Sequence, residues 1–251
     1  MPLDDRYSRQ RRFAPIGDAG QDRLSSSRVL ILGLGALGTV VADQIVRSGV
    51  GFVRMVDRDF VELSNLQRQI LHATADIGKP KVESAKSTLI ALNPDVDVKT
   101  YPVRYDASNA AEIAAEYQFI VDGSDNFETK FLVNDTAIEL GIAFSHAGIV
   151  RLQGQTMTVI PGKSACYRCL FKAPPPPEEI LNCQASGILG AVAGTLGTIQ
   201  ATEAVKYLAG FEDGLLTDRL LVYDAKHMKF RDVEVKRDPH CASCGDGASA
   251  S

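Results

Sequence analysis

The chain has 251 residues, with 27 Lys+Arg against 31 Asp+Glu and a formal net charge of −4. Hydrophobic residues at 45% and charged residues at 23% are those of a globular protein that buries its own core, so neither disorder nor a disulfide framework is required. The mild acidity excludes a protein that coats nucleic acid, because that work needs clustered positive charge.

Residues 1–12 are polar and charged where a secretory signal would be apolar, so the expected location is the cytoplasm. The first clear element is an apolar β run at 29–32, followed at once by Gly33-Leu-Gly-Ala-Leu-Gly38. A helix is predicted over 39–47 and a second strand over 52–57. Strand, glycine turn, helix and strand in this order form the βαβ pattern of a nucleotide-binding fold. Helices are then predicted over 82–92, 107–116 and 129–140, with strands over 96–101, 119–121 and 142–145. Asn93-Pro94 stops the first of these helices and Gly141 the last.

After residue 150 the alternation changes. Strands are predicted over 155–160 and 220–223, with 230–235 as a third, joined by long connections. Ala173-Pro-Pro-Pro-Pro-Glu-Glu179 is too proline-rich for a helix interior or central strand. It reads as an exposed, semi-extended crossing segment over about 172–186. The uncharged stretch 181–202 contains Asn182, Gln184, Gln200 and four glycines, which makes it a buried helix starting near Ser186 rather than a membrane span. Gly187, Gly190, Gly194 and Gly197 would share one face of that helix and let another backbone, from this chain or a second subunit, pack close. The expected fold is therefore α/β, a Rossmann-like, doubly wound, mainly parallel sheet in 29–150. Antiparallel strands in 151–251 extend that sheet, and the whole of 1–251 forms a single domain.

The glycine turn, with Gly33, Gly35 and Gly38, presents backbone N–H groups at a helix N-terminus, where phosphate binds. Asp57 ends the second strand and is placed to accept ribose hydroxyls. The pattern alone does not distinguish ATP from NAD. Asn65, Arg68 and Lys81 are the residue types that hold a triphosphate, although each alone is equally a member of a solvated polar loop. Asp125 follows the strand at 119–121, either to hold Mg²⁺ or to cap the next helix.

Cys166-Tyr-Arg-Cys169 and Cys241-Ala-Ser-Cys244 are two C-x-x-C pairs, suited to a tetrahedral, structural Zn²⁺ that staples the C-terminal tail onto the loop before the prolines. A redox dithiol is the rival reading. Cys183 is left over, as a reactive thiol near a helix N-terminus or as a small apolar filler. His72, His146, His227 and His240 form no recognisable constellation.

Together these motifs resemble the ThiF/MoeB/HesA family, bacterial relatives of ubiquitin-activating enzymes. Arg6-Tyr-Ser-Arg-Gln10, Ser64-Asn-Leu-Gln-Arg-Gln69, Gly78-Lys-Pro-Lys81, Asp122-Gly-Ser-Asp-Asn126 and Asn182-Cys183 carry the resemblance beside the glycine turn and the cysteine pairs. It implies an adenylyltransferase that uses ATP and Mg²⁺ to activate the C-terminal glycine of a ubiquitin-like sulfur carrier protein, MoaD- or ThiS-type, for thiocarboxylate formation in molybdopterin or thiamine biosynthesis. Asp57 would then bind ribose, Asn65, Arg68 and Lys81 the phosphates, and Asp125 the Mg²⁺. Arg9 would reach the partner's site in a homodimer, and Cys183 matches a thiol that joins the carrier covalently in ThiF-type members. With seven residues after Cys244, the sulfur is expected from a separate donor, a cysteine desulfurase or rhodanese. No membrane or nucleic-acid partner is expected. The alternatives are an NAD-dependent Rossmann oxidoreductase, a non-catalytic carrier-binding scaffold, or an adenylating relative that modifies tRNA.

Overall fold

The computed structural model of the chain describes residues 6–176 and 187–247. Two N-terminal helices, α1 (Ser8–Arg11) and α2 (Gly17–Ser26), precede β1 (Arg28–Leu32) and α3 (Ala36–Arg47). Next come β2 (Phe52–Val56), α4 (Lys81–Leu92), β3 (Asp97–Tyr101), α5 (Ala110–Ala114), β4 (Phe119–Asp122) and α6 (Phe127–Leu140). The rear half holds β5 (Ala143–Val150), β6 (Gln153–Val159), α7 (Tyr167–Leu170), α8 (Gly190–Ala209), β7 (Arg219–Asp224) and β8 (Lys229–Glu234). Among the described residues no helix is long and apolar enough to cross a membrane.

The described strands form one eight-stranded sheet in the order β3-β2-β1-β4-β5-β6-β7-β8. The first five run parallel, and β6, β7 and β8 add on antiparallel, as the change in alternation after residue 150 implied. Strand periodicity builds two cores. Val29 and Ile31 of β1 point to the face covered by α3, α4 and α8, whereas Leu30 and Leu32 point to the face covered by α5, α6 and α7. A run buried on both faces reads as continuously apolar, which is why β1 is so legible.

Helix boundaries differ from expectation where capping decides them. Asn126 caps α6, its side chain accepting the Thr129 N–H at 2.9 Å, and Gly141 closes it in a left-handed conformation at φ 68°. The cap is therefore Asn126 and not Asp125. α5 shrinks to five residues, and α2 has no counterpart in the sequence reading because Leu24 is its single buried apolar residue. α8 begins at Gly190 rather than near Ser186, which lies outside the described residues.

The expected glycine face also divides. Gly187 precedes the helix with φ +75°. A Cβ at Gly197 would lie 2.9 Å from Val40 Cβ and 3.2 Å from the Leu37 carbonyl oxygen, so α8 rests directly on α3 there. A Cβ at Gly194 would meet nothing within 4 Å. Gly197→Leu is therefore expected to cost about 1–3 kcal/mol through overpacking. Gly194→Leu should leave the isolated chain as stable or more stable, by up to ~1 kcal/mol of helix propensity. Urea unfolding of the two variants checks the contrast, and equal effects would refute the packing assignment.

Candidate active site

A cleft of about 1790 Å³ opens beyond the carboxyl ends of β1, β2, β4 and β5, where an α/β sheet places its ligands. It exceeds the ~300–1,000 Å³ of ordinary small-molecule pockets, so it can take a nucleotide together with a segment of a second ligand. The glycine turn forms one wall. Gly33 adopts φ +85°, and a Cβ at Gly38 would fall 1.8 Å from the Gly33 carbonyl oxygen, so neither tolerates a side chain. Gly35 caps α3 and has nothing within 4 Å of its Cβ position, which leaves the helix N-terminus open to an anion.

Asp57 follows β2 directly. Its carboxylate accepts the Leu34 N–H at 2.6 Å and the Asp59 N–H at 2.8 Å, so it ties the glycine turn to the next loop and retains lone pairs for hydroxyl donors. Lys81 opens α4 from a buried position, and its Nζ lies 3.0 Å from Asp59 Oδ2. Asp59, assigned no role from the sequence, is thus the partner that holds this cation in place. Asn65 is buried with its Oδ1 taken by the Glu62 N–H at 3.1 Å, which leaves its NH₂ group as the donor. Arg68 reaches the Ser64 carbonyl at 2.8 Å. All of these residues line the cleft.

On the opposite side, the carboxylate of Asp122 is fully buried at the end of β4. It accepts from Lys130 Nζ at 3.1 Å, from His146 Nδ1 at 3.1 Å, and from the Ser124 N–H and hydroxyl at 3.0 and 2.5 Å. Burial alone would raise its pKa, but Lys130, His146 and Ser124 together hold it well below the usual carboxylate range. Lys130 also donates to the carbonyls of Ser124 and Ala147, both at 2.7 Å. Burial, reinforced by the Lys130 ammonium and opposed by Asp122, pushes His146 from 6.5 down to about 4. His146 therefore does belong to a constellation. The clue lies in register, since parallel pairing sets Asp122 opposite His146 across β4 and β5. Asp125 is exposed in the cleft, three residues beyond β4, and its carboxylate has no ion pair or hydrogen bond among the described residues.

The four cysteines 166, 169, 241 and 244 converge, with their Sγ atoms all within 4.8 Å of one another. Separations of 3.9 Å (Cys166–Cys169), 3.6 Å (Cys166–Cys241) and 3.5 Å (Cys169–Cys244) exclude a disulfide. They match the roughly 3.8 Å edge of a tetrahedron with Zn–S bonds of about 2.3 Å. Burial and mutual repulsion raise the thiol pKa values of Cys166 and Cys244, the latter to about 11. Four thiolates can share this space only around a cation. The Asp238 N–H points at Cys169 Sγ at 3.4 Å, the kind of outer contact that steadies a sulfur ligand. The cluster thus fits a metal, and the rival dithiol reading does not account for four sulfurs in one place.

Two expected site residues are not brought together here. Arg9 is exposed on α1 and lies outside the cleft lining. Cys183 lies outside the described residues.

A doubly wound sheet, a glycine turn and a convergent set of cations and carboxylates define a nucleotide-binding α/β protein. More narrowly, the sequence matches the ThiF family over residues 7–243, and the chain belongs to that family. It is 45% identical over 243 residues to the SAMP-activating enzyme E1 of Haloferax volcanii, covering 97% of this chain and 89% of that protein. It is 43% identical over 247 residues to the sulfur carrier protein adenylyltransferase of Thermus thermophilus, covering 96% and 91%. The fold is that of the E. coli MccB crystal structure with MccA-N7isoASN (TM-score 0.87, 24% identity, 96% of this chain and 75% of that one).

The depressed His146 fixes the sign of a pH effect. The unfolded ring binds its proton near pH 6.5 and the native ring only near 4, so unfolding takes up a proton between these values. The contribution to stability is complete above pH 6.5 and falls as the pH drops towards 4, by on the order of 3 kcal/mol. Urea unfolding from pH 7.5 to 4 should give a steeper pH dependence for the wild type than for His146→Gln. Parallel curves would count against the assignment.

Proposed function

We propose that this protein is an adenylyltransferase that activates the C-terminal glycine of a ubiquitin-like sulfur carrier protein with ATP. The observation that carries the reading is the convergence in one cleft of the open helix N-terminus at Gly35, Asp57, the donors of Asn65, Arg68 and Lys81, and the carboxylate of Asp125. An NAD enzyme has no use for a buried lysine and an arginine beside its pyrophosphate, nor for a free carboxylate in the same cleft.

In this reading Asp57 binds the ribose, and the α3 N-terminus with Asn65, Arg68 and Lys81 binds the triphosphate. The carrier's terminal carboxylate, already ionised at pH 7, attacks the α-phosphorus. A carboxyl C–O–P bond forms, the bond from the α-phosphorus to the bridging oxygen breaks, and pyrophosphate leaves with the electron pair. No general base is needed. Lys81 and Arg68 offset the repulsion between two anions and stabilise charge on the leaving group. Asp125, a free carboxylate in the same cleft, would hold Mg²⁺, which when bound neutralises phosphate charge. ATP–pyrophosphate exchange should require a carrier ending in glycine and fall by at least ~100-fold in Asp125→Ala or Lys81→Ala. Exchange independent of the carrier, or undiminished in both variants, would sink the assignment.

Three finer readings accompany it. Arg9 enters the cleft of a second copy in a homodimer; its exposure on α1 and the open surface at Gly194 support this. Cys183 carries sulfur chemistry with a separate donor, a cysteine desulfurase or rhodanese, and the pathway is molybdopterin or thiamine synthesis. The four thiols bind structural Zn²⁺ in the reducing cytoplasm. Elemental analysis should then find about one zinc per chain, and a strong chelator or Cys241→Ser should lower the melting temperature. A chain that is zinc-free and equally stable would refute the metal.

A further inference from the structure

Besides Oε1 of Gln69, two polar atoms of cleft-lining residues are buried yet have no hydrogen-bond partner among the described residues: Nε2 of His146 and the hydroxyl oxygen of Tyr167. The residues are 2% and 1% exposed, and their rings lie 4.5 Å apart between centroids. Leaving such groups unpaired costs about 1–3 kcal/mol each, so the pair stands ready for a ligand that satisfies both.

The polarity of the pair identifies that ligand. Nδ1 of His146 faces the Asp122 carboxylate at 3.1 Å, and a carboxylate only accepts, so Nδ1 carries the ring proton. The ring is neutral, because burial and Lys130 oppose its charge, and Nε2 presents a bare lone pair. Tyr167 beside it offers an O–H donor. Phosphates and carboxylates accept only, and a lone pair repels them. A backbone peptide group, with one N–H and one C=O, matches acceptor and donor together. The adenine edge has similar polarity but the wrong address. Asp57 follows β2, whereas His146 lies on β5, with β1 and β4 between them, about 14 Å away at ~4.8 Å per strand.

We infer that His146 and Tyr167 read a peptide group in the C-terminal tail of the protein being adenylated, Nε2 accepting an amide N–H and the Tyr167 hydroxyl donating to a carbonyl. The inference rests on the adenylation reading above and adds to it the residues that grip the tail. It also links the cysteine cluster to substrate binding. Tyr167 follows Cys166 directly, its N–H donates to Asn134 Oδ1 at 2.9 Å, and its ring packs on Phe131 at 5.1 Å and on His146.

The test is ATP–pyrophosphate exchange by the full-length protein, with the carrier and ATP varied separately. Tyr167→Phe removes one oxygen and keeps the ring, and His146→Gln keeps a donor for Asp122. Each should raise KM for the carrier about 5- to 20-fold with KM for ATP within twofold, and Tyr167→Phe should melt no lower than the wild type. A carrier KM within twofold of wild type in both variants would mean that the two groups hold only buried water, and the inference falls. A raised KM for ATP instead would assign them to the nucleotide, which also overturns it. Absence of carrier-dependent exchange in the wild type would remove the adenylation reading and this inference together, an outcome distinct from both.

Discussion

Asp122 ends β4 with its carboxylate inside the protein, where an uncompensated charge would cost several kcal/mol. Lys130 comes to it from α6, His146 from β5, and the Ser124 N–H and hydroxyl from the following loop. Its backbone carbonyl accepts the Gln200 amide of α8 at 3.1 Å, and the same amide reaches the Ser145 carbonyl at 3.2 Å. Meeting the needs of one carboxylate thus aligns β4, β5, α6 and the turn that presents Asp125. Loss of Lys130 would leave a buried anion, and breaking a pair of that kind costs about 3–5 kcal/mol. The cleft is rigid on this side because the charge tolerates no other arrangement.

The opposite wall works by backbone closeness. Gly123, just after Asp122, lies against the glycine turn, and a Cβ there would stand 3.1 Å from the Gly38 N and 3.2 Å from the Gly33 carbonyl oxygen. The Asp122 loop and the phosphate-binding turn are therefore packed main chain to main chain. Positions on the two walls cannot drift independently, which suits a reaction that depends on aligning a carboxylate with a phosphorus.

Much of this was legible in the residues, and for identifiable reasons. The β1 run, the glycine turn and Asp57 are local signals, each set by steric rules acting within a few residues. The cysteine pairs were legible because two C-x-x-C spacings are what a tetrahedral metal site would demand. The cluster around Asp122 was not, since Lys130 and His146 are 8 and 24 positions away from it, and only the packing of α6 and the register of β4 with β5 join them. Asp59 went unassigned because a carboxylate in a polar loop carries no pattern until Lys81 is seen to reach it. α2 escaped because its buried face is made of Gly20 and Gln21 as well as Leu24, so apolar periodicity is missing. Gly194 and Gly197 looked equivalent on a helical wheel, but only one of them meets a neighbouring helix.

The meeting of the two cysteine pairs has a consequence in the unfolded chain. Cys166 and Cys241 stand 75 positions apart, as do Cys169 and Cys244. An ion gripping both pairs would close a loop that contains the proline run, α8, β7 and β8. Tying the ends of so long a loop removes conformational freedom from the disordered state, worth roughly 4 kcal/mol by polymer arguments for a cross-link of this span. The chain between Cys169 and Cys241 would then be tethered at both ends.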